Sequence, residues 1–391
     1  MYIVFSANVH YDNLKSNEAP NVVVLFIRIL TQMQSKTKLY LSILLPVQII
    51  FIQIISFFPE FIERFYSNGF FTYTSKALRY VFGWLPFSFG DLLYSVLIIL
   101  LIRFLFLKVF RRNIAWKKVL LDIGATLSIV YASFHILWGM NYYRLPLHEI
   151  LNLDDQYTEA ELISVSEKLI IQANALHSKL EPIDSLAIKI PYTKDEVFKK
   201  TIPAYQQLNN IFPDLDYHPK SIKTSLLSIP LTYMGFSGYL NPITNEAQVN
   251  GLILNYKAPT TSCHEEAHQL GFAKENEANF IAALTTINYD DIYFNYSGAT
   301  FALKFCLNDL YLRNEEKAIC LIEKLRPGIR KNYREVNEFW ESYENPLEPI
   351  FKSTYDSYLK VNNQPDGMET YSYVVALLVN YFKSNPIAFH E

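Results

Sequence analysis

A run of twenty residues without a charged side chain, Leu39–Phe58, restricts the fold of this chain more than any other feature. An apolar helix of about 20 residues crosses the hydrocarbon core of a bilayer. Two further segments, Trp84–Ile102 and Val119–Trp138, are nearly as apolar but contain isolated ionisable residues. The sequence therefore predicts three N-terminal transmembrane helices within a membrane region of residues 39–141. The alternative for each segment is a buried helix of a large soluble domain.

The composition is typical of a membrane protein that also carries a folded domain. Half of the 391 residues are hydrophobic, and 19% are charged, compared with roughly 25% in soluble domains. Such an apolar chain is not expected to be disordered. The net charge of −3 argues against a nucleic-acid partner, because nucleic-acid-binding surfaces are usually basic. The lipid bilayer is therefore the first partner that we predict.

The distribution of Lys and Arg predicts the orientation in the membrane. The loop between the second and third apolar segments contains six cations and no acidic residue, whereas the charges of residues 59–83 nearly cancel. The six are Arg103, Lys108, Arg111, Arg112, Lys117 and Lys118. Because basic loops stay in the cytoplasm, we expect residues 1–38 to be a cytoplasmic segment and residues 142–391 to be extracytoplasmic.

Three ionisable residues lie in or beside the apolar segments. His135 is near the outer end of the third segment, which favours an interfacial role over a catalytic one. Asp122 follows Lys117 and Lys118, and we predict that it pairs with them at the cytoplasmic boundary. Asp91 is expected to mark the outer boundary in the same way.

Residues 142–391 have the pattern of one mostly helical α+β domain. Thr158 and Glu161 form a capping box at the start of a helix. Apolar residues at helical spacing predict four further helices, while Ser221–Gly251 is rich in β-forming and turn residues and predicts a small sheet. The four helices cover Asp195–Phe212, Phe301–Leu325, Arg334–Leu359 and Tyr371–Phe382.

The pattern His-Glu-x-x-His, formed by His264, Glu265 and His268, points to metal chemistry. Residues four apart on a helix lie on the same face, so both imidazoles can bind one ion. Glu265 lies on the flank of the same turn, where it can act as a general base on water, as in zinc peptidases. The alternative is a solvated helix face without a metal.

A catalytic zinc site needs a third protein ligand, and we expect it shortly after the helix. Gly271 can end the helix in a left-handed conformation, and Glu275, Glu277 and Asn279 follow. We favour Glu275, because Asn279 then lies on the same helical face and can hydrogen-bond a ligand. Glu277 would point away. Lys274 occupies the position at which the metzincin pattern has its third His.

Other residues near the motif are candidates for binding and structural roles. Residues 247–250 could form an edge strand that pairs with an extended substrate, although a buried strand explains them equally well. Tyr296 and Tyr371 are candidates for stabilising an oxyanion. Cys263 is expected to be a small buried residue, and a Cys306–Cys320 disulfide remains an option outside the cytoplasm.

Over residues 40–382 the sequence resembles the bacterial membrane family called domain of unknown function 3810. The resemblance rests on Trp138–Arg144 (WGMNYYR), Gly238–Asn250, Cys263–Gly271 (CHEEAHQLG) with Glu275–Phe280, and the block ending in Asp366–Tyr371 (DGMETY). It implies a multi-pass protein of the bacterial cytoplasmic membrane. The family name assigns no substrate.

The sequence from Glu275 to Asn279 is also similar to the Glu-x-x-Ala-Asp signature of membrane gluzincins, such as prenyl-protein proteases and heat-shock membrane peptidases. This similarity implies a zincin-like fold and Glu275 as a zinc ligand. The chain has Asn279 where those enzymes have Asp, and the spacing from His268 to Glu275 is shorter than theirs.

Together these features predict a membrane-anchored zinc metallopeptidase that acts on a peptide or protein. In this interpretation His264, His268 and Glu275 hold Zn²⁺, and Glu265 is the catalytic base. The alternative is a membrane sensor or assembly factor that binds zinc without cleaving a substrate. An intact Glu265 favours the enzyme, since a structural zinc site does not need that carboxylate.

Overall fold

The three apolar segments form helices in the computed structural model, which describes residues 34–109, 115–212, 215–364 and 373–385. Each helix is long and apolar enough to cross a membrane, which identifies the chain as a candidate membrane protein. Their bounds are α1 (Ser35–Ile55), α4 (Phe89–Val109) and α5 (Trp116–Leu137). Most of residues 1–38 and part of the basic loop, including Arg111 and Arg112, lie outside the described residues.

The connection between the first two apolar segments, residues 59–83, is largely helical. It contains α2 (Pro59–Phe61), a π-helix (Ile62–Phe71) and α3 (Thr72–Phe82). One side of it packs against the C-terminal domain, where Phe71 contacts Ala273 and Arg79 lies over the Tyr217 ring.

One end of the helical membrane region is joined to the C-terminal domain. Arg144 donates to both carboxylate oxygens of Glu63, from Nε at 2.9 Å and from Nη2 at 2.5 Å. Ser67 donates to Oδ1 of Asn141 at 2.9 Å. Residues 59–82 and the chain that follows α5 therefore lie at the same end of the three apolar helices as the C-terminal domain.

A buried carboxylate from the sheet caps the start of α4. Glu246 accepts hydrogen bonds from the backbone N–H groups of Phe89 at 3.1 Å and Gly90 at 2.6 Å. Lys223 donates to the same carboxylate at 2.5 Å and to the carbonyl of Phe82 at 2.7 Å. The carboxylate satisfies N–H groups that a helix start leaves without partners.

Two aspartates have partners other than those predicted. Asp122 pairs with Lys38 at 2.7 Å rather than with the lysines before it, because α1 packs along α5 in the same direction. Asp91 is buried under the sheet, where it accepts from Ser225 Oγ at 3.0 Å and the Leu226 N–H at 2.7 Å. Asp91 therefore binds residues of the C-terminal domain rather than a cation.

The C-terminal domain is mainly helical, as predicted. The helices are α6 (Leu147–Ile150), α7 (Glu159–Leu180), α8 (Lys194–Asn209), α9 (Ser228–Tyr233), α10 (Ala258–Gln269), α11 (Glu275–Ile287), α12 (Ile292–Arg313), α13 (Glu315–Glu323), α14 (Pro327–Glu341), α15 (Glu348–Val361) and α16 (Val374–Ser384). Two of the long helices, α7 and α8, start at the capping boxes of Thr158 and Thr193.

Two of the predicted helices are each divided in the structure. The segment 301–325 breaks at Asn314, whose extended backbone ends α12 and whose side chain caps α13 by accepting from the Lys317 N–H at 3.2 Å. The segment 334–359 is interrupted around Pro346, because a proline disfavours helical backbone in the residue that precedes it.

The sheet has three short strands in the order β1 (Ile222–Thr224), β3 (Glu246–Val249), β2 (Gly238–Asn241). β3 is parallel to β1 and antiparallel to β2. Of the two alternatives for residues 247–250, the structure shows the buried strand and not the edge strand, because β3 pairs on both sides and is buried throughout. Among the described residues β2 pairs on one side only, and it is the strand that reaches the candidate site.

Candidate metal centre

The two helices of the motif are held in the domain core. α10 packs between β3 and α11, and its C-terminal end stops at Gly271 with φ +92°. A Cβ at this glycine would lie 3.0 Å from the Phe71 ring and 3.1 Å from Asn141 Oδ1. Glycine is therefore favoured here for two reasons: it adopts the left-handed backbone of the turn, and it leaves room for Phe71 and Asn141. The chain reverses there and enters α11 at Glu275.

This reversal brings together His264, His268 and Glu275. One potential ligand atom from each lies within 4.8 Å of the others. The two Nε2 atoms are 3.1 Å apart, and Glu275 oxygens lie 3.2 Å from His264 Nε2 and 3.7 Å from His268 Nε2. Tetrahedral bonds of about 2.0–2.1 Å would separate ligand atoms by about 3.3 Å. The donor set therefore fits a zinc-sized ion.

Hydrogen bonds orient two of these side chains. The Nδ1 of His268 lies 2.7 Å from the carbonyl of Phe272, so that Nε2 faces the other ligand atoms. Tyr355 donates its hydroxyl to Glu275 Oε1 at 2.6 Å. Asn279 lies beside His264, as its spacing from Glu275 predicts. Each of these contacts restricts the direction in which a ligand atom points.

The protonation states of His268 and Glu275 suit metal binding, whereas at His264 burial is outweighed by the hydrogen bond and charge of Glu275, which raise the pKa of that histidine. Burial lowers the pKa of His268 to about 4. Burial opposes ionisation of Glu275, but the hydrogen bond from His264 and the charges of both histidines outweigh it and hold the Glu275 pKa at about 2. Near neutral pH these two groups are therefore a neutral imidazole and a carboxylate, the forms that bind metal ions.

Glu265 lies next to the ligand cluster but is not one of the three potential ligands. Its side chain is 4% exposed, and no hydrogen bond within the described residues reaches Oε2. Burial raises its pKa to about 8. β2 passes directly over it, since a Cβ at Gly238 would lie 2.6 Å from Glu265 Oε1. Glu265 is therefore a partly unsatisfied carboxyl group facing the space beside the ligands.

A cavity of about 990 Å³ opens at this point. Tyr94, Leu97 and Ile98 of the membrane-region helix α4 form part of its wall, and Trp138 donates from Nε1 to the His268 carbonyl at 3.1 Å. Further lining residues come from β2, α10, α12 and α15, and include Gly238, Tyr239, Leu240, Lys257, Phe301 and Tyr358. The candidate site is thus shared between the C-terminal domain and the apolar helices.

Three further candidates in the described residues, Glu277, Tyr296 and His135, do not line the cavity. Glu277 accepts from the Leu147 N–H at 2.9 Å and points away from the ligands, as predicted. Tyr296 is buried in α12 and donates to Asn332 Oδ1 at 2.9 Å, so the structure does not bring it to the site. Tyr371 lies outside the described residues. His135 makes a contact of 3.0 Å to the Tyr131 carbonyl.

The cysteines contribute no ligand to the cluster. Cys263 is buried, as expected for a small core residue. Cys306 is buried and Cys320 is exposed, and the two thiols are not joined.

The residue that sequence reasoning missed is Tyr355. It is 80 positions from Glu275, and its only sequence signal is an aromatic residue within a helical pattern. We expect Tyr355→Phe to weaken zinc binding by about 10–100-fold, because the hydrogen bond that orients Glu275 is lost. Competition with a coloured chelator measures this affinity. Tyr343→Phe, in the loop that follows α14, is the control; equal affinities for all three proteins would contradict the role of Tyr355.

Comparison with known proteins gives a family but no activity. The family described as "Protein of unknown function (DUF3810)" matches residues 66–379, which confirms the family resemblance of the sequence. No curated protein and no solved structure matches the chain.

Proposed function

The chain belongs to this family of unknown function, and we propose that it is a membrane-anchored zinc metallopeptidase with a zincin-like C-terminal domain. The observation that carries the proposal is the convergence of His264, His268 and Glu275 beside the unsatisfied carboxyl group of Glu265. A structural zinc site usually has four protein ligands and no spare carboxylate, whereas a catalytic site has three and an open position.

In this mechanism His264, His268 and Glu275 would hold a zinc ion, which would supply the Lewis acidity that polarises a carbonyl and lowers the pKa of water. The carboxylate form of Glu265 would be favoured by a zinc ion held beside it. Glu265 would then accept the proton of the attacking water and donate it to the leaving amine. The Glu265 carboxyl group lies under β2 and is 4% exposed, which limits its contact with solvent. Tyr355 acts as a positioning residue, because it holds Glu275.

β2 is the element that would bind the substrate backbone. Gly238, Tyr239 and Leu240 line the cavity, and within the described part of the chain β2 pairs only with β3. An extended peptide can add to such an edge through main-chain hydrogen bonds. The cavity wall supplied by Tyr94 and Leu97 places this edge next to the membrane region.

The proposed topology is multi-pass in the bacterial cytoplasmic membrane, with the C-terminal domain extracytoplasmic. The basic loop between α4 and α5 supports it through the positive-inside rule. The contact between Arg144 and Glu63 supports it as well, since residues 59–82 and the C-terminal domain must then share one side.

Metal removal tests the proposed reaction. The purified full-length protein in mild detergent should cleave members of a quenched-fluorescent peptide library. Turnover should fall to background on treatment with a zinc chelator and return with about one equivalent of zinc. Turnover that survives the removal of all metal, or no cleavage of any peptide by the zinc-loaded protein, would contradict it. The latter result would favour a non-catalytic zinc-binding sensor or assembly factor.

A further inference from the structure

The cavity continues past the ligand cluster along one face of α10. Its side chains recur at helical spacing: Lys257, Thr260, Thr261, His264, Glu265 and His268. His268 is at the end that meets Trp138 and the membrane region. Lys257 is at the opposite end, seven residues before His264, which is about 10 Å along the helix axis. The cavity therefore has a cationic end that the proposed mechanism does not use.

Lys257 is half-buried, and its ammonium has no anionic partner among the described residues. Its Nζ lies 4.3 Å from the centre of the Phe301 ring, and no hydrogen bond or ion pair within the described ranges reaches it. Burial, together with the nearby charge of Lys304, lowers the Lys257 pKa to about 7. The buried Lys223, by contrast, is neutralised by Glu246 at 2.5 Å. A desolvated cation without an anion is costly.

The surroundings increase this cost. Lys257 directly precedes the first residue of α10, where the helix dipole disfavours positive charge. Lys304, one turn after Phe301 on α12, is also half-buried and has no ion pair within the described residues. The two lysines are close enough for the charge of Lys304 to add to burial in lowering the pKa of Lys257. An anion bound beside them would be attracted by both charges and by the helix dipole.

We propose that Lys257, assisted by Lys304, binds a carboxylate of the substrate at the end of the cavity farthest from the membrane region. This inference rests on the proposed peptidase function and specifies its substrate class. Extended peptides advance about 3.3 Å per residue, so a span of about 10 Å places the carboxylate roughly three residues from the scissile bond. The substrate is a peptide with an acidic side chain or a C-terminal carboxylate at that position.

Chain-length series of dicarboxylic acid monohydroxamates can test the proposal. The hydroxamate binds the metal, and each free acid is compared with its uncharged methyl ester. In the zinc-loaded full-length protein, the free acid of one chain length should bind at least about tenfold more tightly than its methyl ester. Lys257→Gln should remove this preference and leave the affinity for acetohydroxamate unchanged. Lys257→Arg should retain it, and Lys199→Gln, on the exposed face of α8, should behave as wild type.

Acetylation of Lys257, followed by mass spectrometry, gives a readout that does not depend on zinc. The acid that binds best should protect Lys257 from acetylation, whereas its methyl ester should not. Equal binding of acid and ester, a preference that persists in Lys257→Gln, or equal protection by both compounds would overturn the proposal. If acetohydroxamate fails to bind, the metallopeptidase function fails instead, and the protection experiment still decides the role of Lys257.

Peptide hydroxamates then identify the source of the carboxylate. One peptide has a Glu three residues from the hydroxamate and an amidated C-terminus, and the other has a neutral side chain and a free C-terminus. Tighter binding of the first indicates an acidic side chain, and tighter binding of the second indicates a terminal carboxylate. Equal binding that is insensitive to Lys257→Gln would overturn the carboxylate site.

Discussion

Glu265→Gln should reduce peptide turnover by about 10²–10⁴-fold while the protein keeps its zinc, because the change removes a proton acceptor and leaves the three ligands intact. The amide has nearly the shape of the carboxyl group, so the closely packed space under Gly238 is preserved. Turnover of the peptide library and zinc content, measured on the same preparation, test this prediction. A non-catalytic sensor would tolerate the change.

The next residue offers a matched control. Glu266 is also buried, but it points toward α8 and accepts a hydrogen bond from Thr201 at 2.7 Å. Burial raises its pKa, and its side chain is not among those that line the cavity. Glu266→Gln should therefore keep nearly full turnover. Equal losses in the two variants would mean that Glu265 has no special role in the reaction.

Glu246→Ala should destabilise the protein by about 3–5 kcal/mol, because it leaves the buried Lys223 ammonium without its carboxylate. The N–H groups of Phe89 and Gly90 lose their cap at the same time. The expected result is a fall of several degrees in the thermal unfolding midpoint in detergent. The effect links the sheet to the membrane region, since Glu246 belongs to β3 and its donors belong to the start of α4.

The exposed pair Glu167–Lys324, at 2.8 Å, provides the control for this effect. Glu167→Gln should change stability by less than about 1 kcal/mol, because both side chains are solvated. Replacing Lys223 by Met in the Glu246→Ala background should recover part of the loss, since no buried charge then remains unpaired. A midpoint for Glu246→Ala that equals that of Glu167→Gln would contradict the buried contact.

The metal centre was predictable because its ligands are local. His264 and His268 share one helical face, and Gly271 ends that helix, so Glu275 can return to the same place within eleven residues of His264. Helical periodicity and turn chemistry are sufficient for that inference. The same reasoning predicted Asn279 on the ligand face of α11.

The remaining parts of the site depend on long-range packing, which local patterns do not encode. Tyr355 reaches Glu275 from α15, and Tyr94 reaches the cavity from an apolar helix. The central position of β3 arises because β1 pairs with it from an earlier segment, a contact that the alternation of residues cannot specify. The contacts of residues 59–82 with the C-terminal domain, such as that of Glu63 with Arg144, likewise join distant parts of the sequence.

Zinc content is the most direct test of the central claim that this chain holds a catalytic metal. Plasma emission should find about one zinc per chain in the wild type purified in mild detergent. His264→Ala should lose it, and His148→Ala, which is on α6 and belongs neither to the cluster nor to the cavity wall, should keep it. Absence of zinc from the wild type, or equal zinc in wild type and His264→Ala, would contradict the account.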